Sequence, residues 1–317
     1  MALNTTGPIS IGGSTAGQSV NLEFGRSANA PTSMSQLYRG GAIVPNATAN
    51  NSVPTSGAIS LANLRGAVNR VSITVPITVS QNDYVFNTAK APGYIAGISD
   101  VVFDISAGVV LSASSLGAYA GNVDASWAAG DTVRINNSGT MAGVGGAGGA
   151  GGGPAAPVAG GAGGLAFIAQ RAVALNNLGV IGAGGGGGGG GARVTGTSGG
   201  GKDPVLTHSG SGGGGGGGQS NNALNAAGGA GGAAVAADFT AAGAAGAAGT
   251  ISGAGGGGAG GIANGFTGGA GGAGGTRGVD GGTGGAAGAA GGLRGFAITG
   301  NANITYITTG TILGRLQ

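Results

Sequence analysis

The chain has no cysteine, one histidine, one tryptophan and 9 prolines in 317 residues. Without cysteine there is neither a disulfide framework nor a thiolate metal site, and a single histidine leaves zinc without a ligand set. Charged residues make up 7% and aromatics 4%, so no conventional apolar core can serve the whole chain. The net charge of +3 is scattered rather than clustered, which argues against a nucleic-acid partner. No apolar run approaches a membrane span, and the first residues lack the basic and apolar regions of a secretory signal. No cofactor is expected.

What the chain has in quantity is glycine, 83 residues, most of them between Gly143 and Gly295. There the glycines keep a period of three: GGA-GGA-GG at Gly145–Gly152 and again at Gly268–Gly275, and AAG-AAG-AAG at Ala241–Gly249. That period belongs to neither an α-helix nor a strand, but to the left-handed polyproline II helix. Such a helix bonds nothing within itself, so its N–H and C=O groups must meet water or a neighbouring helix. Only Gly or Ala lets backbones approach closely enough for the latter. Collagen is excluded, because no sustained G-x-y run with proline exists. A flexible linker is the competing reading; the low charge content favours an ordered bundle of polyglycine II helices.

Along the chain, residues 1–70 are rich in Gly, Ser, Thr and Asn. Val20–Phe24 alternates as a strand does. Ser33–Gly40 and Ser60–Gly66 are similar units, each a one-turn helix with a Ser cap and a Gly stop, too short to stand alone and therefore ordered by docking. Residues 71–142 read as a small β domain holding Tyr84, Phe86, Tyr94, Phe103, Tyr119 and Trp127. Val71–Val79 is a half-buried strand that Pro76 places at an edge. Val101–Ile105 and Val109–Ser112 flank Ala107-Gly108 as a hairpin would, and the domain would close as a sandwich or short roll. A strand, an Asn-Asn turn and a Gly-apolar pair recur at Val133–Gly143 and Val173–Gly182, each leading into a glycine run. Residues 143–295 form the bundle, and 296–317 return to β-structure with a turn at Thr309-Gly310. The fold class is thus all-β with a polyglycine II bundle and little or no α-helix.

Between the glycine runs lie inserts that carry the region's distinctive side chains: Arg193, Lys202, His208, Asn221, Asn222, Phe239, Asn264, Phe266, Arg277 and Asp280. A rigid scaffold with variable tips is a common way to build a binding surface, and these are the candidate binding contacts. If successive runs are antiparallel, alternate inserts share one end.

Motifs of catalysis arise by chance in such sequence. Gly196-Thr197-Ser198-Gly199-Gly200 fits G-x-S-x-G, with His208 ten residues on. The motif needs a strand-to-helix elbow, and no helix is expected there. Gly196 to Lys202 fits the spacing of a phosphate loop, but Asp203 replaces the Ser/Thr and would repel phosphate. Asp100 and Asp104 read as strand-end residues rather than an acid/base pair, and His208 as a solvated loop residue. No enzyme is expected.

The glycine region resembles the distal adhesins of T-even-type phage tail fibres. The paired segments Ser33–Gly40 and Ser60–Gly66, with Pro54–Ile59 between, are similar to the start of many phage tail proteins, and Asn303–Gly314 to the C-termini of fibre and tip proteins. The β-region ahead of the bundle departs from the T-even pattern. The resemblance implies a virion tail protein made in the host cytoplasm. Residues 1–70 would then meet other tail or baseplate proteins, with Leu37, Tyr38, Arg39, Leu64 and Arg65 as attachment residues. The bundle's tips would meet a bacterial receptor, either a saccharide or an outer-membrane protein; whether the chain is a monomer or a homotrimer is open. The alternative is a purely structural tail component without receptor contact. An ice-binding face and a depolymerase fit less well, for want of a planar loop-free surface and of acid/base pairs.

Overall fold

The structure, a computed structural model, describes the chain except Met1, Lys202, residues 222–225, Ala236 and Asp238. It divides into two compact units that interleave in sequence. One comprises Met1–Val75, Asn87–Phe103 and Ser126–Arg134; the other Pro76–Phe86, Asp104–Ala125 and Ile135–Gln317.

In the first unit the two Ser-capped segments form 3-10 turns, Met34–Leu37 and Leu61–Leu64. Gln36 and Asn63 side chains accept from the N–H groups of Ser33 and Ser60, and Gly40 and Gly66 follow with positive φ. The turns are ordered by one another: Leu37 and Leu64 are fully buried with Leu3, Val20, Val44, Val53 and Ala67. Asn50 ties this core, donating to the Pro45 and Val68 carbonyls and accepting from the Val68 N–H. Val20–Phe24 does not form the expected strand. Val20–Glu23 is a single α-helical turn, because Ser19 caps Leu22 N–H and Gly25 stops it with φ +71°. Elsewhere in this unit Trp127 meets Tyr94 and Phe103 edge to face. Asp131 accepts from Tyr94, Ser99 and Ala128. Arg70 grips Asp100 at 2.7 Å and holds that carboxyl below its usual pKa.

The strands come in repeated passes of the chain. The first pass is β1 (Val71–Ile77), β2 (Gln81–Asn82) and β3 (Tyr84–Phe86); the second β4 (Ser99–Ile105), β5 (Val110–Ser112) and β6 (Gly121–Val123). The third is β7 (Thr132–Asn137), β8 (Thr140–Ala142) and β9 (Phe167–Ala169). The fourth begins with β10 (Val173–Asn177) and β11 (Val180–Gly182). Then come β12 (Val194–Gly200), β13 (Asp203–Gly210), β14 (Phe239–Ala241), β15 (Ile262–Ala263) and β16 (Phe266–Thr267), before β17 (Phe296–Thr299) closes the pass. The last is β18 (Ile304–Thr308), β19 (Thr311–Leu313) and β20 (Arg315–Leu316). Each pass gives one strand to each of three five-stranded sheets: β1-β4-β7-β10-β18, β2-β5-β8-β11-β19 and β3-β6-β9-β17-β20. The pairs of the second and third sheets, and β10 with β18, are parallel. This is the topology of a parallel β-helix, where a sandwich or a short roll was expected. β4 and β5 are correspondingly not a hairpin; Gly108, with φ +81°, turns the chain through a corner into another sheet. Pro76 does lie in an edge strand, and the tail does pair with earlier strands.

The interior holds Phe86, Leu111, Val123, Ile135, Met141, Phe167, Leu175, Ile181 and Ile298, all fully buried. Gly121 leaves room for two rings: a Cβ there would lie 2.9 Å from Phe86 and 3.2 Å from Phe167. The Asn-Asn turns supply an inner ladder at one corner. Asn137 donates to Asn177 at 2.7 Å, and Asn177 donates to the Thr309 and Thr311 carbonyls. Both side chains are buried. Asn177→Ala strands these groups and should cost about 2–4 kcal/mol in denaturant unfolding, since each orphaned buried group costs about 1–3 kcal/mol; a loss below about 0.5 kcal/mol would contradict the ladder's role.

Two corners of the coil are opened by glycine. Between β8 and β9 run rods A (143–153) and B (157–165). Between β11 and β17 run rods C (182–192), D (211–219), E (226–232), F (241–249), G (253–261), H (268–275), I (279–285) and J (288–295). Rod C shows the rule. Its successive N–H groups donate in turn to D, I and B: Gly185 to Gln219, Gly186 to Val279, Gly187 to Gly161, then Gly188 to Gly216 as the cycle repeats. Its carbonyls accept in turn from A, H and J, as at Gly185, Gly186 and Gly187 from Gly146, Gly275 and Gly292. The bonding therefore has the three-residue screw that the glycine period predicts, and every third residue faces the same neighbour. Rod D is surrounded in the same way by A, C, E, F, G and H. These two enclosed rods are the ones without alanine between Gly184 and Gly191 and between Gly212 and Gly218. Rods with open sides carry alanine on them; Ala147, Ala230, Ala270 and Ala273 are exposed.

Candidate functional site

Consecutive rods run in opposite directions. Donations from Gly184, Gly187 and Gly190 fall on Gly164, Gly161 and Val158, so C opposes B, and the same descending register relates D to C and H to G. The inserts therefore divide between two ends. The loop after rod A, the β12–β13 hairpin, the segment leading to β14, the β15–β16 hairpin and the turn at Ala286-Ala287 share one end. Residues 220–221, 250–252 and 276–278 share the other, where the rods spring from the coil. Alternate inserts do share an end, as an antiparallel bundle requires.

At the loop end His208 is the centre of the described side chains. β12 and β13 pair antiparallel with Gly196 opposite His208, and β14 lies parallel on the other side with Phe239 opposite His208. In that row Gly196 leaves a gap, since a Cβ there would sit 1.9 Å from the Phe266 ring. Phe266 fills it from the neighbouring hairpin. The imidazole is thus stacked on Phe239 at 5.0 Å and on Phe266 at 5.4 Å, the planes within 20° and 9° of parallel. The hairpin that delivers Phe266 turns at Asn264-Gly265, whose φ values of +42° and +87° are those of a two-residue type I′ loop. His208 Nε2 lies 2.5 Å from Ser198 Oγ and 3.4 Å from Asn264 Nδ2. The other ring nitrogen, Nδ1, is buried and bonds nothing among the described residues.

His208 is fully buried, so the expectation of a solvated loop residue is corrected. The cause is non-local: both covering rings come from later inserts. The Ser198–His208 pair also brings the G-x-S-x-G serine onto the chain's one histidine. The serine stands in mid-strand rather than on an elbow, and Nδ1 lacks the carboxylate that orients a triad among the described residues.

Three large apolar side chains are exposed at this end: Val205 at 62%, Phe239 at 46% and Ile262 at 66%. Arg193 is exposed at the foot of the hairpin, beside an open depression of about 230 Å³ against the loop 152–157. Of the residues expected to meet a receptor, Arg193, His208, Phe239, Asn264 and Phe266 are on this end. Asn221, Arg277 and Asp280 are at the coil end and bonded within the chain. Asn221 is buried and donates to the Ala113 and Ala142 carbonyls. Arg277 lies against Gly182, donates to the Ser220 carbonyl, and burial lowers its pKa. Asp280 accepts from the Arg294 N–H. Lys202 and Asn222 lie outside the described residues. Sequence reasoning passed over Val205 and Ile262; lone aliphatics among glycines and polar residues were the available signal. In the first unit Leu37 and Leu64 are core, whereas Tyr38, Arg39 and Arg65 are half-buried.

Among the described residues no cluster of His, Asp and Glu is placed to hold a metal, and no helix is long and apolar enough to cross a membrane. The sequence matches the family model of the phage tail fibre adhesin Gp38 over residues 72–317. No match was found among curated proteins. Among solved structures the chain is similar to the gp37-gp38 adhesin tip complex of the bacteriophage S16 long tail fiber. The identity is 21%, the TM-score 0.47, and the alignment covers 97% of this chain and 100% of that one.

Proposed function

The chain belongs to the phage tail fibre adhesin Gp38 family, a component of the virion tail, and from that premise we propose that the loop end of its glycine rods binds a receptor on the host cell surface. The observation that carries this reading is the sorting of inserts. Exposed Val205, Phe239 and Ile262 gather with Arg193 on one end, while the inserts of the other end are tied to the coil. Large exposed apolar side chains held on a stiff support are what a binding surface needs, because little ordering entropy remains to be lost on contact. The role is one of binding, without covalent chemistry. Residues 1–70, which precede the matched family region, are the part suited to joining other tail proteins, with Tyr38, Arg39 and Arg65 at its surface. Several adhesins per particle would multiply a weak contact.

Replacing residues 262–267 by two glycines, with Val205→Ser, should abolish phage adsorption and leave the melting temperature of the purified protein within about 3 °C of wild type. A virion that still adsorbs at the wild-type rate would point instead to a structural tail component.

A further inference from the structure

The corner between the first and second sheets carries two rows of side chains. The inner row, Asn137 and Asn177, is buried and bonded largely to backbone. The outer row, one residue earlier on β4, β7 and β10, is Asp104, Asn136 and Asn176. Asn176 Nδ2 donates to Asn136 Oδ1 at 3.4 Å, and Asn136 Nδ2 donates to Asp104 Oδ1 at 2.6 Å. Among the described residues, none of the three bonds a backbone group through its side chain. They are half-buried along an open groove of about 460 Å³, whose other wall includes Ala107 and Leu178, the latter 65% exposed.

The inner row already holds the corner together, so the outer row is spare. Its chain of donation runs one way, from Asn176 to Asp104. That leaves Asn176 Oδ1 and Asp104 Oδ2 as acceptors and the second amide proton of each asparagine as a donor, repeated at the rung spacing of about 4.8 Å. We propose that this groove binds a neutral saccharide. Alternating donors and acceptors on a regular repeat suit vicinal hydroxyls, each both donor and acceptor, and the Leu178 and Ala107 methyl groups suit the C–H face of a sugar ring. Among the described residues no cationic side chain lines the groove, and the Asp104 carboxylate repels phosphate and uronate, so the sugar carries no anionic group. The proposal does not depend on the loop-end reading, because the corner belongs to the coil and the loops to the far end of the rods.

The test is an amide-shift titration of the full-length, isotope-labelled protein. The two probes are the neutral hexose fraction and the phosphorylated heptose fraction of core oligosaccharide, released from the lipopolysaccharide of the plating host. Saturable shifts at Asn136, Asn176 and Leu178 with the neutral fraction alone are expected. Asn136→Ala should weaken that binding about tenfold, the effect of one lost hydrogen bond to a ligand. Leu178→Ala, which leaves the ladder untouched, should also weaken it and guards against a folding defect in the first variant. Absence of shifts with either fraction would overturn the proposal. So would shifts confined to residues 193–210 and 262–267, equal binding of the phosphorylated fraction, or binding unchanged in both variants.

Discussion

Gly188→Ala is expected to destabilise the protein by more than about 3 kcal/mol, whereas Gly256→Ala is expected to be neutral or stabilising by up to about 1 kcal/mol. Both residues stand in all-glycine runs, and neither has a positive φ. They differ in what a methyl group would meet. At Gly188 a Cβ would lie 2.0 Å from the Gly272 carbonyl oxygen and 2.5 Å from its carbon; at Gly256 nothing lies within 4 Å. The Gly272 backbone cannot retreat as a side chain would, because its own N–H is bonded to Gly189 and its carbonyl accepts from Gly216. One methyl therefore pushes apart two rods and the bonds that depend on their spacing. At Gly256 the same substitution only narrows the unfolded ensemble. Adjacent Gly255 and Gly257, with Cβ clashes of 2.0 and 1.9 Å, should behave like Gly188, so a scan through 255–257 reads the packing residue by residue. Equal effects at Gly188 and Gly256, by thermal or denaturant unfolding, would mean that glycine serves flexibility here rather than contact.

His208→Ala is expected to reduce adsorption at least thirtyfold, about the effect of losing one binding hot spot, while the melting temperature moves by less than about 3 °C. The two readouts separate because His208 bonds and stacks only within the loop cluster. Its partners are Ser198, Asn264, Phe239 and Phe266, from three inserts that meet at the imidazole. Without the imidazole Phe239 and Phe266 lose the ring stacked between them, while β14 stays paired with β13. His208→Phe keeps a flat ring but loses both side-chain bonds, and should retain an intermediate adsorption rate. Wild-type adsorption by His208→Ala would show that the stack does not organise the proposed receptor surface.

The parts legible in the sequence were those governed by short-range repetition. The three-residue period gave the rods, Ser caps and Gly stops gave the turns of the first unit, and the Asn-Asn repeats marked successive passes of the coil. Rods C and D could have been recognised as the enclosed ones, because alanine is excluded only where a rod has neighbours on all sides. The β-helix was not legible. Its partners are parallel strands one pass apart, and glycine inserts separate β8 from β9 and β11 from β17, so no hairpin or turn announces the pairing. β4 and β5 looked like a hairpin because a corner and a reversal use the same Gly. The burial of His208 was illegible for a similar reason: Phe239 and Phe266 reach it only after the intervening rods have brought their inserts to one end. The split of the candidate residues between two ends follows from rod direction, which the period alone does not give.

The central claim is that backbone amides of enclosed glycine rods are bonded to other rods and held as firmly as those of a conventional core. Amide hydrogen exchange across 184–191 and 212–218 in the intact protein tests it most directly. These amides should exchange only through global unfolding, with protection equal to that of Leu175 and Ile181 in the coil and far above that of the hairpin tip at 199–201. Exchange of the glycine amides at the rate of an unstructured chain, while Leu175 and Ile181 stay protected, would contradict it.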